Sequence, residues 1–176
     1  MIGGSVVLPD AVDLLDERSR EAYVGVLICV AAADGDLVRE ESAAIEAAMG
    51  RAMIRPNQRE RMRPWLITPP DVEELLNEMS QDAKRVVLRD AIIIAAVDGD
   101  YHASELEIIQ TISKSAKVHH SELERLFAWL EEGWRWMAEG RGILGVGLPG
   151  VATALHFSIP HIFAVSSQYL RGSFGV

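Results

Sequence analysis

The chain has 176 residues, 26 acidic against 17 basic side chains and a formal net charge of -9. That length fits one domain, the 49% hydrophobic content is ample for its core, and 24% charged residues is ordinary for a folded chain, which excludes intrinsic disorder. A pI near 5.0 argues against a nucleic-acid binder, because phosphates need excess positive charge.

The charges are unevenly placed. Residues 1–141 hold all of them except Arg171. The sequence therefore divides into a charge-rich body, 1–141, and an uncharged apolar tail, 142–176. Cys29 has no intrachain partner and lies in an apolar run, so it reads as a buried reduced thiol of a cytoplasmic-type protein. The opening residues show no basic n-region and no long apolar stretch, so no signal peptide is expected.

In chain order, Pro9 and Asp10 precede a short amphipathic helix, Ala11–Glu17. A second helix is predicted from about Ser19 to Ala33. Its segment from Ala22 onward is apolar on every side, which marks a buried central helix. It stops at Asp34-Gly35, where glycine can adopt the left-handed conformation that ends helices. A third helix follows from about Arg39 to Met49. Asn57-Gln-Arg-Glu60 has the form of a capping box, opening a helix limited by Pro64. After the Pro69-Pro70-Asp71 break comes a short helix to about Met79. Ser80 caps a long helix to Val97, which stops at a second Asp-Gly, Asp98-Gly99. Helices from about Ala103 to Ala116 and, behind a second capping box at Ser121–Glu124, to about Ala138 complete the body. The expected fold is all-α, a compact bundle of seven to eight helices.

The two Asp-Gly helix ends are 64 residues apart. At that offset, residues 31–49 and 95–113 are identical at seven of 19 positions. The unit, apolar helix, Asp-Gly-Asp turn, helix, reads as a duplicated helical hairpin with its two apolar helices paired at the centre. The motif Ala-x-Asp-Gly-x-Φ-x-x-x-Glu, at Ala32–Glu41 and again at Ala96–Glu105, resembles the TerB-like family, named for a tellurite-resistance protein and found also as a module of membrane-anchored J-domain co-chaperones. The resemblance covers roughly residues 15–135. It implies an all-helical bundle, a role in tellurite or chemical-stress resistance, acidic residues proposed to bind metal, and protein partners including inner-membrane proteins, and it does not imply an established enzymatic activity.

The spacing itself bears on metal binding. Asp34 to Glu41, like Asp98 to Glu105, equals the separation of positions 5 and 12 of an EF-hand loop, but positions 1 and 3 fall on Val30, Ala32, Ile94 and Ala96, which offer no ligating side chain. Each copy is at best half a calcium loop. If the copies meet, Asp34, Asp36, Glu41, Asp98, Asp100 and Glu105, with His102 as a weaker candidate, would surround a divalent cation, calcium, magnesium or manganese by ligand hardness. The competing reading is structural. Asp-Gly ends one helix, and Glu41 and Glu105 cap the next from its third position, opposite Val38 and His102.

Other features have two readings each. Arg51, Arg55, Arg59, Arg61 and Arg63 form either a contact surface for a partner or anionic lipid, or a solvated face paired with nearby acids. Trp129, Trp134, Trp136 and Met137 are core packing or an interface. No nucleophile elbow, zinc-protease motif, phosphate loop or di-metal carboxylate motif is present, so no enzyme is expected. The tail has 29 consecutive uncharged residues, 142–170, but prolines, serines and histidines interrupt it. It either folds back on the body or forms a homodimer, inserts at a membrane interface, or spans a bilayer. Two functions follow. One is a non-enzymatic TerB-like stress-response protein binding divalent metal through its turns. The other is an interaction or scaffold module with purely structural caps, held peripherally at the inner membrane by its tail.

Overall fold

A computed structural model describes residues 11–35, 37–97 and 101–145. Every regular element among them is helical: α1 (Glu17–Ala31), α2 (Arg39–Arg51), α3 (Pro56–Met62), α4 (Val72–Asn77), α5 (Gln81–Ile94), α6 (Ala103–Ser115) and α7 (His120–Ile143), with 3-10 turns at Ala11–Leu14 and Arg63–Leu66. The expected first helix, Ala11–Glu17, is instead a single 3-10 turn, because Asp16 begins a new helix. The Ser19 amide donates to Asp16 Oδ1 at 2.9 Å, which satisfies one of the amides left open at a helix start.

α1 is the axis of the fold. All ten residues from Ala22 to Ala31 are buried, in keeping with an apolar circumference. It packs along α5 and also against α2, α4 and α6. One side of α1 admits a close neighbour at Gly25, where an added Cβ would stand 2.9 Å from Leu75 Cδ1 and 3.1 Å from Trp65 Cζ3. The missing side chain lets α4 and the Arg63–Leu66 turn lie down on α1.

The duplication is wider than the sequence identities indicate. The N-caps Asp16 and Ser80 are 64 residues apart, and each accepts the amide three residues on, from Ser19 and Ala83. α2 and α6 begin at the same offset. Both end in a left-handed residue, Met53 (φ 53°) and Lys117 (φ 51°), whose following amides, Ile54 and Val118, return to the carbonyls of Met49 and Ser113 at 3.0 and 3.1 Å. This is the same Schellman closure twice. Then Arg55 and His119, again 64 apart, cap α3 and α7. The structural repeat thus aligns α1-α2-α3 with α5-α6-α7, and the 3-10 turn with α4 is the connection between copies.

Two expected capping boxes are displaced. The boxes at Asn57–Glu60 and Ser121–Glu124 do not form. The helices start two residues earlier, where the Arg55 amide donates to Gln58 Oε1 (2.8 Å) and the His119 amide to Glu122 Oε2 (3.0 Å). Pro56 occupies the first position of α3, where its lack of an amide hydrogen costs nothing. α7 also runs on to Ile143, past the expected end near Ala138 and across the body–tail boundary at residue 141.

The core is one cluster with contributions from every α-helix. Among the described residues it contains a buried polar tie between α1 and α5. Asp90, 1% exposed, accepts the Tyr23 hydroxyl at 2.6 Å and the Arg89 guanidinium through Nε at 2.7 Å and Nη2 at 2.8 Å. Burial, and then the negative charge of Asp90, push the Tyr23 phenol well above its ordinary range, so it stays a donor. The tie fastens α1 to α5 in a direction that apolar packing alone does not specify.

Candidate functional site

The loop after α1 and the loop before α6 meet. Asp34 Oδ2 lies 3.7 Å from His102 Nε2, with the carboxylate side chain 24% and the imidazole 53% exposed. Asp34 belongs to the first copy of the motif and His102 to the second, so the two turns share one end of the helix assembly. Gly35, at φ +86°, supplies the left-handed step that releases the chain from α1.

Glu41 and Glu105 occupy equivalent places in both copies. Glu41 Oε2 accepts the Val38 amide at 2.9 Å, and Glu105 Oε2 accepts the His102 amide at 2.8 Å. Both are buried, at 6% and 4% exposure. Neither Val38 nor His102 returns a side-chain hydrogen bond, so each box is one-sided. The carboxylates also sit at the positive ends of α2 and α6, which favours their charge. The burial of these two acids follows from their capping work.

Asp36, Asp98 and Asp100 lie outside the described residues. Among the described residues no group of three or more His, Cys, Asp or Glu side chains is placed to hold a metal ion. Asp34 and His102 alone are a two-donor pair, and further ligands would have to come from the remaining aspartates of the two turns.

Beside the second turn, Tyr101 makes contacts of its own. Tyr101, at the position equivalent to Leu37, stands edge-on to Phe127 of α7 with centroids 5.5 Å apart and planes at 77°. Its hydroxyl donates to the Ile92 carbonyl at 3.3 Å. Burial, with Glu105 nearby, raises the Tyr101 phenol above its ordinary value. Tyr101 thereby ties the second turn to α5 and α7. The motif spacing had marked it only as an apolar position.

The other candidates resolve by their contacts. Arg55 pairs with Glu17 (3.1 Å), Arg59 with Glu46 (3.5 Å) and Arg61 with Glu21 (3.1 Å). The Gln58 amide also donates to Glu21. A surface depression of about 500 Å³ is lined by two of these pairs, Arg55–Glu17 and Arg61–Glu21, with Gln58. The arginine-rich stretch is in this part an ion-paired, solvated face, of the sort worth about 0–1 kcal/mol per pair. Cys29 is buried with Sγ 3.3 Å from the Pro70 carbonyl, and burial pushes its thiol up to about 11, so it is a protonated core group rather than a nucleophile. Of the aromatic cluster, Trp134 packs partly against the core, while Trp129, Trp136 and Met137 are exposed. Core packing therefore does not account for three of these four residues. Of the tail 142–176, residues 146–176 lie outside the described residues. Among the described residues no helix is long and apolar enough to cross a membrane.

Comparison with protein-family models, curated proteins and solved structures finds no match.

Proposed function

We propose that the chain is a non-enzymatic binding protein of the TerB-like kind, that its working end is the one where the two Asp-Gly-Asp turns meet, and that a divalent cation is its ligand there. The observation that supports this is the approach of Asp34 to His102, one donor from each copy. Asp34 and His102 would hold the ion together with Asp36, Asp98 and Asp100, which belong to the same two turns in the sequence. Manganese suits this mixture of carboxylate and imidazole better than calcium, which prefers oxygen alone. The bound ion would supply charge neutralisation, joining two acidic turns that otherwise repel. The resemblance further suggests a stress-response role, tellurite resistance included, and partners at the inner membrane.

A second reading has its own support. The amide hydrogen bonds to Glu41 and Glu105 are what helix caps require. On that reading the chain is an interaction or scaffold module, and Asp34–His102 is a surface contact joining the copies.

Thermal denaturation with added Mn²⁺ separates the two. A ligand at ten times its Kd stabilises by about 1.4 kcal/mol, which for a chain of this size raises Tm by about 3–5 °C. The proposal expects that rise for the native chain and its loss in Asp34→Asn. An unchanged Tm in the native chain, or an equal rise in Asp34→Asn, overturns the metal reading and leaves the caps.

A further inference from the structure

The 24-residue helix α7 has two apolar faces, and the described body covers only one. Leu123, Phe127 and Leu130 are buried, Trp134 packs against the core beside them, and among the described residues none after Leu130 is buried. On a helical wheel, Trp129, Gly133, Trp136, Gly140 and Ile143 fall within an arc of about 80° on the other side of the helix. On this face Trp129 is 51% exposed, Trp136 70% and Ile143 86%. A Cβ added at Gly133 or Gly140 would meet nothing within 4 Å, so neither glycine is required by packing against the body. Both weaken the helix interior that carries the exposed tryptophans. A half-helix weakened in this way and apolar on its free side needs something to pack on it.

We propose that this outer face of α7 is the docking site for the chain's own segment 146–176. Three observations select that occupant. α7 ends at the face itself: Gly145, at φ +63°, takes the left-handed conformation, and its amide bonds back to the Gly142 carbonyl, so the segment starts beside Ile143. The segment has 31 residues and one charge, Arg171, and includes Leu155, Phe157, Ile162 and Phe163. Such a length easily covers the roughly 21 Å from Trp129 to Ile143, and the covalent tether places it there at an effective millimolar concentration. Charge opposes the lipid alternative. The exposed half of α7 carries Glu131, Glu132 and Glu139 against Arg135 and Arg141, in a chain of net charge -9, which an anionic membrane surface repels.

The test compares the full chain with the full-length variant Phe157→Asp/Phe163→Asp by acrylamide quenching of tryptophan fluorescence. The proposal expects Trp129 and Trp136 to be shielded in the native chain and the quenching constant to rise about twofold in the variant, with unchanged circular dichroism. Equal quenching in the two chains overturns it. So does shielding that appears only as concentration rises, with a dimer in sedimentation, which assigns the face to a second copy. Shielding that appears only with phosphatidylglycerol vesicles assigns it to lipid and also overturns the proposal. Limited chymotrypsin digestion gives an independent readout should the tail variant misfold. In the full chain, Trp129→Gln/Trp136→Gln should speed cleavage at Phe157 and Phe163 about tenfold, and an unchanged cleavage rate overturns the proposal.

Discussion

Replacing Asp90 by Ala is expected to lower stability by about 3–4 kcal/mol, a fall in Tm of about 10 °C. Asp90 accepts both the Tyr23 hydroxyl and the Arg89 guanidinium while 1% exposed. Its removal strands a buried phenol, opens a small cavity and takes the Asp90 contact away from the partly exposed Arg89. The loss arises from the broken network, not from any large net gain in forming it, since a buried charge has already lost its water. The repeat suggests the control. Val26 of α1 stands at the position equivalent to Asp90 and is fully buried. The double variant Tyr23→Phe/Asp90→Val removes the buried hydroxyl and carboxylate together, restores an apolar side chain of similar size and leaves the partly exposed Arg89 guanidinium to be met by solvent. It should cost only about 1 kcal/mol, less than Asp90→Ala alone. Urea denaturation measures both. An Asp90→Ala variant within about 0.5 kcal/mol of the native chain would show that the tie carries no stability.

Ile92→Ala is expected to cost about 3 kcal/mol, within the range for deleting a buried aliphatic side chain and leaving a cavity. Ile92 is 1% exposed on α5, and its carbonyl also receives the Tyr101 hydroxyl. Its equivalent in the first copy is Ile28, fully buried on α1. If the copies are structurally equivalent, Ile28→Ala should cost the same to within about 1 kcal/mol. Chemical denaturation of the two variants tests this. A loss near 3 kcal/mol in one and below about 1 in the other would deny that α1 and α5 play matching roles in the core.

How far these features were legible in the sequence depends on what each one needs. The all-helical character and the burial of α1 follow from composition and from an apolar run too long for one face. The repeat was visible around Asp34 and Asp98 because the turn demands particular residues there. It faded elsewhere because the core asks mainly for volume and apolarity, so Val24 answers to Leu88 and Val30 to Ile94 without identity. The caps of α3 and α7 were misplaced by two residues for a specific reason. A capping side chain at the N-cap itself selects Asn57 and Ser121. The bond that forms needs only a backbone amide there and an acceptor three residues later, which Arg55–Gln58 and His119–Glu122 provide. The outward direction of Trp136 was not legible, because two apolar faces on one helix give no clue to which meets the body. The approach of Asp34 to His102 depends on how α1 packs with α5 and α6, which no local pattern encodes.

The central claim, that the two turns form one cation-binding end, is tested most directly by paramagnetic broadening in ¹⁵N–¹H spectra of the full chain with substoichiometric Mn²⁺. Residues 32–38 of the first copy and 96–103 of the second should lose their amide signals together, while the acidic faces of α4 and α7 keep theirs. Broadening of one turn without the other, or a general loss across all acidic surfaces, would contradict the claim.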